Sequence, residues 1–266
     1  MSAFARKFRA LLSVHWQDVL AYPVAAMIWI MTDAMLALVM PAVWLSASGG
    51  AGMFMMTEQE MVTYYLITLV LSQFIVCHLL WDIAWAIKEG MFSVQLARPF
   101  PIYWYFMAQN VAWRVGKLVL FAPFLVFYIV AYRDYLGAVP LNFSFEFFLS
   151  LFMAHLLSYN IAFAIAMIAL WTTEFHAVFG LYYFPENFLS GRVVPLAALP
   201  VWAAVVGDFM PFRYTVAMPT EILMGRLHGA EIWNSFGLQL AWTVAFYFIG
   251  RALFARGVKQ YTGFGN

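Results

Sequence analysis

The chain has 266 residues, 65% of them hydrophobic, 20% aromatic and only 10% charged. Soluble domains carry about 25% charged residues, so this balance and a mean hydropathy of +0.82 exclude an ordinary soluble domain and identify an integral membrane protein. A net charge of +1 without a long basic run gives no sign of a nucleic-acid partner, and the single cysteine, Cys77, excludes an internal disulfide.

The first element, residues 1–22, contains FARKFRALLSVHWQDVL from Phe4 to Leu20. Phe4, Phe8, Leu11, Leu12, Trp16 and Val19 fall near one helical face, while Arg6, Lys7 and Arg9 fall elsewhere. This is the pattern of an amphipathic helix lying at a membrane interface; a plain cytosolic extension ending at Pro23 is the alternative. The apolar run from near Val24 lasts about twenty residues, longer than the ~7–15 of a cleaved signal's apolar region, and reads as a first span.

A hydrocarbon core of ~30 Å needs about 20 apolar residues per crossing. By that measure the first span runs about Val24–Leu45 and the second about Met61–Trp85, with a Ser/Gly-rich loop from Ser46 to Glu60 between them. Next is WAIKEGMFSVQLARPFP, from Trp85 to Pro101. Gly90 permits a bend, Ile87, Met91 and Val94 recur at helical spacing, and Arg98-Pro99 stops the element. A short amphipathic helix over 86–101 suits the groove of another protein; an ordinary interfacial loop is the bland reading.

The third apolar stretch, Tyr103–Tyr132, is too long for one crossing and carries Arg114 and Lys117. Three residues apart, these cations share a face and can snorkel to one interface. The membrane-deep part is therefore expected from about Val115, with YWYFMAQNVAW lying obliquely at the surface. A fourth span covers about Phe145–Trp171, and the last about Ile232–Phe254.

Between Thr172 and Glu231 the pattern breaks. Ala177–Leu189 reads as a helix entering the membrane, but Gly191, Pro195, Pro200 and Pro211 interrupt the apolar sequence beyond it. Five spans leave the termini on opposite sides, so a sixth crossing is expected between Ala177 and Met210. Broken backbone at membrane depth is tolerated only when packed in protein or lining a cavity. A fifth span and then a re-entrant hairpin over 185–212, dipping into the outer leaflet, satisfy these constraints. The positive charges agree with this topology: Arg6, Lys7, Arg9, Lys88, Arg98, Arg251, Arg256 and Lys259 fall on one side, joined by Arg114 and Lys117. The other side receives only Arg133, Arg192, Arg213 and Arg226. Both termini are expected in the cytoplasm.

The sequence holds no G-x-x-x-x-G-K-[ST] phosphate cradle and no H-E-x-x-H pair. No catalytic or metal-ligating set is expected, since the five histidines are scattered singly. His78 and Asp82, one turn apart, are either a ligand or proton-relay pair or a hydrogen-bonded pair near the interface. Asp33, within the first span, is either a pathway residue facing the bundle interior or a structural hydrogen-bonding group.

Three stretches together resemble the type-2 ATP-binding-cassette exporter permeases, in a bacterial branch of six-span proteins of this length. They are IKEGMFSVQLARPFPIYW, FLSGRVVPLAALPVWAAVVGDFMPFRYTVAMPTEILMGRL and the ending ARGVKQYTGFGN. The resemblance implies a single all-α permease domain over 1–266, with a connecting helix at 1–22, a cytoplasmic coupling helix at 86–101 and re-entrant outer helices at 185–212. It implies six spans forming half of a pathway in the bacterial inner membrane, paired with an identical or paralogous permease among the membrane lipids. ATP and Mg would be held by a separate cytoplasmic ATPase dimer, with no cofactor on this chain. Lys88, Glu89, Gly90, Met91, Phe92 and Arg98 are the expected ATPase contacts, and a rigid second span would carry their movement inward. Asp33, Glu186 and Arg192 are candidates for the pathway or its exit gate. A self-sufficient secondary transporter or channel is the main alternative; its breaks would be expected in both halves, and here they occupy one. An intramembrane enzyme lacks a nucleophile–base or metal constellation.

Overall fold

The computed structural model describes residues 2–21, 23–49, 52, 56–172 and 175–261, without the side chains of residues 23, 25, 26, 29, 33, 177 and 181. The protein is all-helical, with no β-strand among the described residues. The helices are α1 (Ala3–Ala21), α2 (Pro23–Ser48), α3 (Glu58–Ile75), α4 (Leu79–Lys88), α5 (Phe92–Leu96), α6 (Ile102–Ala131), α7 (Phe145–Ala166), α8 (Phe175–Leu189), α9 (Val201–Phe209), α10 (Ala217–Leu223) and α11 (Ala230–Gly257). Among the described residues, five stretches are long and apolar enough to cross a membrane: Ile30–Ser48, Glu58–Lys88, Ile102–Ala131, Phe145–Leu170 and Ala230–Gly257. Where the sixth crossing is expected the chain forms α8, of 15 residues, a break, and α9, of 9 residues.

Local chemistry sets where the helices begin. Thr57 opens α3 with a reciprocal cap: the Glu60 backbone N–H donates to Thr57 Oγ1 at 3.2 Å, and the Thr57 N–H donates to Glu60 Oε2 at 2.8 Å. Ser144 caps α7 by accepting from Phe147 N. Pro101 immediately precedes α6, where its missing N–H costs nothing.

The centre of the bundle is α7, packed against α11, α4, α3 and α10. Small residues allow close approach, as at Gly250, where an added Cβ would meet Phe163 at 3.0 Å and Ala164 Cα at 3.5 Å. Buried amides tie the helices together directly. Gln239 Nε2 donates to Ser150 O and Tyr214 O, and Asn160 Nδ2 donates to Thr243 O while its Oδ1 accepts from Tyr103.

One expectation fails at α6. The helix is continuous from Ile102, since nothing between Tyr103 and Trp113 breaks it, and α1 covers its flank. Val19 of α1 closes on Gly116, and Phe4 stacks on Phe100 and edges onto Trp104. Arg114 and Lys117 do not snorkel outward; both are buried. The cause for Arg114 lies in the second span, which is not a rigid rod. Residues 76–78 are non-helical, leaving carbonyls at the end of α3 without their usual partners. Arg114 Nη2 donates to Ile75 O at 2.9 Å and Nη1 to Gln73 O at 3.4 Å, while Nε donates to Asn110 Oδ1.

Candidate functional site

Two places gather the residues that the sequence singles out. The first is the turn from α4 to α6. Lys88 ends α4, Gly90 takes a φ of +75°, and α5 is a single short helix after it. A left-handed backbone of this kind is cheap for glycine and lets the chain reverse within two residues. Phe92 turns inward and is fully buried, stacked on Phe106 with ring centroids 6.3 Å apart and edge-on to Tyr261 at 5.6 Å. It is the anchor of the turn rather than part of its surface. Tyr261, from the segment after α11, also accepts from Ser93 Oγ at 3.3 Å and donates to Ile87 O at 3.5 Å.

What the turn presents outward is Lys88, Glu89, Met91, Val94 and Arg98, all exposed. Met91 and Val94 are apolar side chains more than half exposed, ringed by charge of both signs. The cations are held over aromatic faces: Lys88 Nζ lies 5.4 Å from the Trp85 ring centre and Arg98 Cζ 5.2 Å from that of Tyr105. The N-terminal helix braces the same turn, with Lys7 Nζ donating to Pro99 O at 3.0 Å. His15 of that helix stacks edge-on to Tyr105. Burial lowers its pKa from the usual 6.5; the hydrogen-bonded Asp18 carboxylate opposes that shift and Arg98 adds to it.

The second place is the broken connection after α8. Glu186 and Arg192 are both buried, with Arg192 Nη1 3.1 Å from Glu186 Oε2. Gly191 between them has a φ of +80°. Two tyrosines of α3 hold the break: Tyr64 Oη donates to Gly191 O at 2.6 Å and Tyr65 Oη to Val193 O at 2.9 Å, while Trp44 Nε1 donates to Tyr65 Oη at 2.8 Å. These carbonyls are ones that a helix break leaves open, so the phenols replace lost backbone bonds. Nearby, Arg213 bridges Asp208 and Glu221, and Arg226 Nη2 pairs with Glu60 Oε1 at 3.0 Å. Burial raises the Glu221 carboxyl's pKa against the pull of Arg213.

The structure thus brings Glu186 and Arg192 together and places the Lys88–Arg98 turn elsewhere in the bundle. Asp33 belongs to α2, but its side chain lies outside the described residues. Sequence reasoning missed Tyr64, Tyr65 and the inward role of Arg114. The paired tyrosines in an apolar run were the available signal, since each hydroxyl buried in a membrane helix needs a partner.

No curated protein matches the chain. A profile described as ABC-2 family transporter protein matches residues 35–265, which contain both places. The chain is a membrane protein that belongs to the ABC-2 transporter family.

Proposed function

We propose that the chain is the permease subunit of an ATP-binding-cassette exporter, contributing half of a substrate pathway beside a second permease and driven by a separate ATPase dimer that holds ATP and Mg. Family membership implies association with such ATPases. In this reading both termini and the α4–α6 turn face the cytoplasm of a bacterial cell, and 185–212 forms a re-entrant hairpin in the outer leaflet. The helix at 1–22 is the connecting helix, and Glu186 and Arg192 lock the outer end of the pathway. The single observation that carries the ATPase contact is the exposed pair Met91 and Val94, rimmed by Lys88, Glu89 and Arg98 on a turn anchored from beneath by Phe92. A small apolar patch inside a charged rim is the surface a partner's groove takes.

The break at 76–78 changes how such a contact would act. Force applied at the turn moves α4 as a short lever of 10 residues, and Arg114 at the junction decides how much reaches α3. The test is affinity purification of tagged protein from native membranes in mild detergent, for wild type and Glu89→Lys. A stoichiometric ATPase with the wild type, lost from the variant while membrane insertion persists, is the expected result. Recovery of the wild-type chain alone across several detergents would point to a self-sufficient transporter instead.

A further inference from the structure

We propose that the cavity between α1, the α3–α4 junction and α6 binds a phosphate ester bearing an ammonium group, the chemistry of an aminophospholipid headgroup. The cavity measures about 310 Å³, within the ~300–1,000 Å³ usual for ligand pockets. Nine of its thirteen lining residues are polar or charged, set among apolar helices. Arg114 and Lys117 reach it from α6, Asp18 from α1 and Asp82 from α4.

Among the described residues, its wall holds one carboxylate without an ion-pair partner and two buried residues with unpartnered polar atoms. Asp82 is exposed, accepts from Gln109 Nε2 at 3.2 Å, and has no ion-pair partner among the described residues. Gln73 is 1% exposed, yet neither its Nε2 nor its Oε1 has a hydrogen-bond partner. His15 is buried with its Nε2 likewise unpartnered. A buried polar group left unmet costs about 1–3 kcal/mol, and two such residues converging on one cavity beside an unpaired carboxylate mark a place for something to bind.

The mixed charge selects the ligand. An anion alone would face Asp18 and Asp82, and a cation alone would face Arg114 and Lys117. An ammonium donates to Asp82 in a charge-assisted bond and to the acceptor nitrogen Nε2 of His15, whose Nδ1–H is held by Asp18, while phosphate oxygens accept from Gln73 Nε2 and from the α6 cations. Depth favours a lipid as the source. Asp82 lies six residues inside the end of α4 and Gln109 seven inside the start of α6, about 10 Å at the helical rise of ~1.5 Å per residue. An apolar groove of about 360 Å³ lined by Phe74, Val115, Leu118, Phe148 and Leu151 adjoins it and shares Arg114, giving an acyl chain a place beside the headgroup. The reading is independent of any ATPase partnership.

The test uses purified full-length protein stripped of lipid in detergent, with retention read by native mass spectrometry and melting. The probes are phosphatidylethanolamine, phosphatidylglycerol and water-soluble glycerophosphoethanolamine, on wild type, Asp82→Asn and Gln73→Leu. Wild type is expected to prefer phosphatidylethanolamine over phosphatidylglycerol by about tenfold, the scale of one charge-assisted contact. Asp82→Asn should lose that preference, and Gln73→Leu should weaken binding of the ethanolamine lipid. Binding of glycerophosphoethanolamine as tight as that of the lipid would support the same chemistry with a soluble source, whereas lipid-only binding supports the membrane source. Equal retention of the two lipids by wild type, preference for phosphatidylglycerol, or no binding of any probe overturns the proposal, and this comparison needs no variant to fold. An unchanged preference in folded Asp82→Asn overturns it as well.

Discussion

Arg192 holds Glu186 across the break after α8, Nη1 to Oε2 at 3.1 Å, with both side chains almost sealed from solvent. The residues are six apart, too far for one helical turn and brought together only because the chain reverses at Gly191. A buried pair of this kind contributes little net stability compared with well-packed apolar residues, but removing one member leaves a buried charge.

Arg192→Met is therefore expected to destabilise the protein by about 3–5 kcal/mol, and the double change Arg192→Met with Glu186→Leu by clearly less. Melting of the purified protein in detergent reads both. Equal loss in the single and double variants would show that charge pairing is not the reason for the cost.

At Gly191 an added Cβ would lie 2.5 Å from Tyr64 Oη, on a backbone with φ of +80°. Gly191→Ala should cost about 1–3 kcal/mol from strain alone, and Tyr64→Phe about 1 kcal/mol from the lost bond to Gly191 O. Combined, the two should cost less than their sum, because removing the hydroxyl makes room for the methyl. A double-mutant cycle measures that coupling, and strict additivity would rule the clash out.

The contact of Val19 with Gly116 seats α1 on α6. Gly116→Ala should push α1 away and open the segment around His15 and Val19, buried in the wild type, to protease, while leaving the central α7–α11 packing intact. Adding Val19→Ala should restore protection. Limited proteolysis with mass spectrometry of the fragments distinguishes these outcomes, and full protection of the single variant would show that α6 can shift to accept the methyl.

Phe92 and Met91 should part company under substitution. Phe92→Ala opens a cavity beneath the turn and is expected to cost about 3–5 kcal/mol. Met91→Asp changes an exposed side chain and should leave melting within about 0.5 kcal/mol of wild type, while reducing recovery of the ATPase. Loss of stability in Met91→Asp would contradict its exposed placement.

Burial keeps the His15 pKa below 6.5 despite Asp18, so the folded protein takes up this proton less readily than the unfolded chain. His15 therefore lowers stability as pH falls below about 6.5, with a slope of at most ~1.4 kcal/mol per pH unit. His15→Gln should remove that share of the acid sensitivity. Melting between about pH 7.5 and 5.5 spans the window in which the unfolded chain's histidine titrates. An identical pH slope in the variant would show that other groups set the response.

The class of the protein and the position of most of its helices are legible in the chain alone. Long apolar runs must cross or embed in a membrane whatever else happens, because the backbone and the apolar surface both demand it. Gly90 and Arg98-Pro99 bounded the α4–α6 turn for similarly local reasons, and the prolines around Pro195 marked the break after α8. The inward turn of Phe92 is a matter of packing, since Phe106 and Tyr261, distant in the chain, supply its pocket. So is the fate of Arg114. Hydropathy weighs the cost of a cation against lipid; it does not register that residues 76–78 leave the helix and free carbonyls that a guanidinium can satisfy. The same holds for Tyr64 and Gly191, which stand 127 positions apart: periodicity reports the neighbours a residue has along its own helix, and the partners of buried polar groups come from other helices.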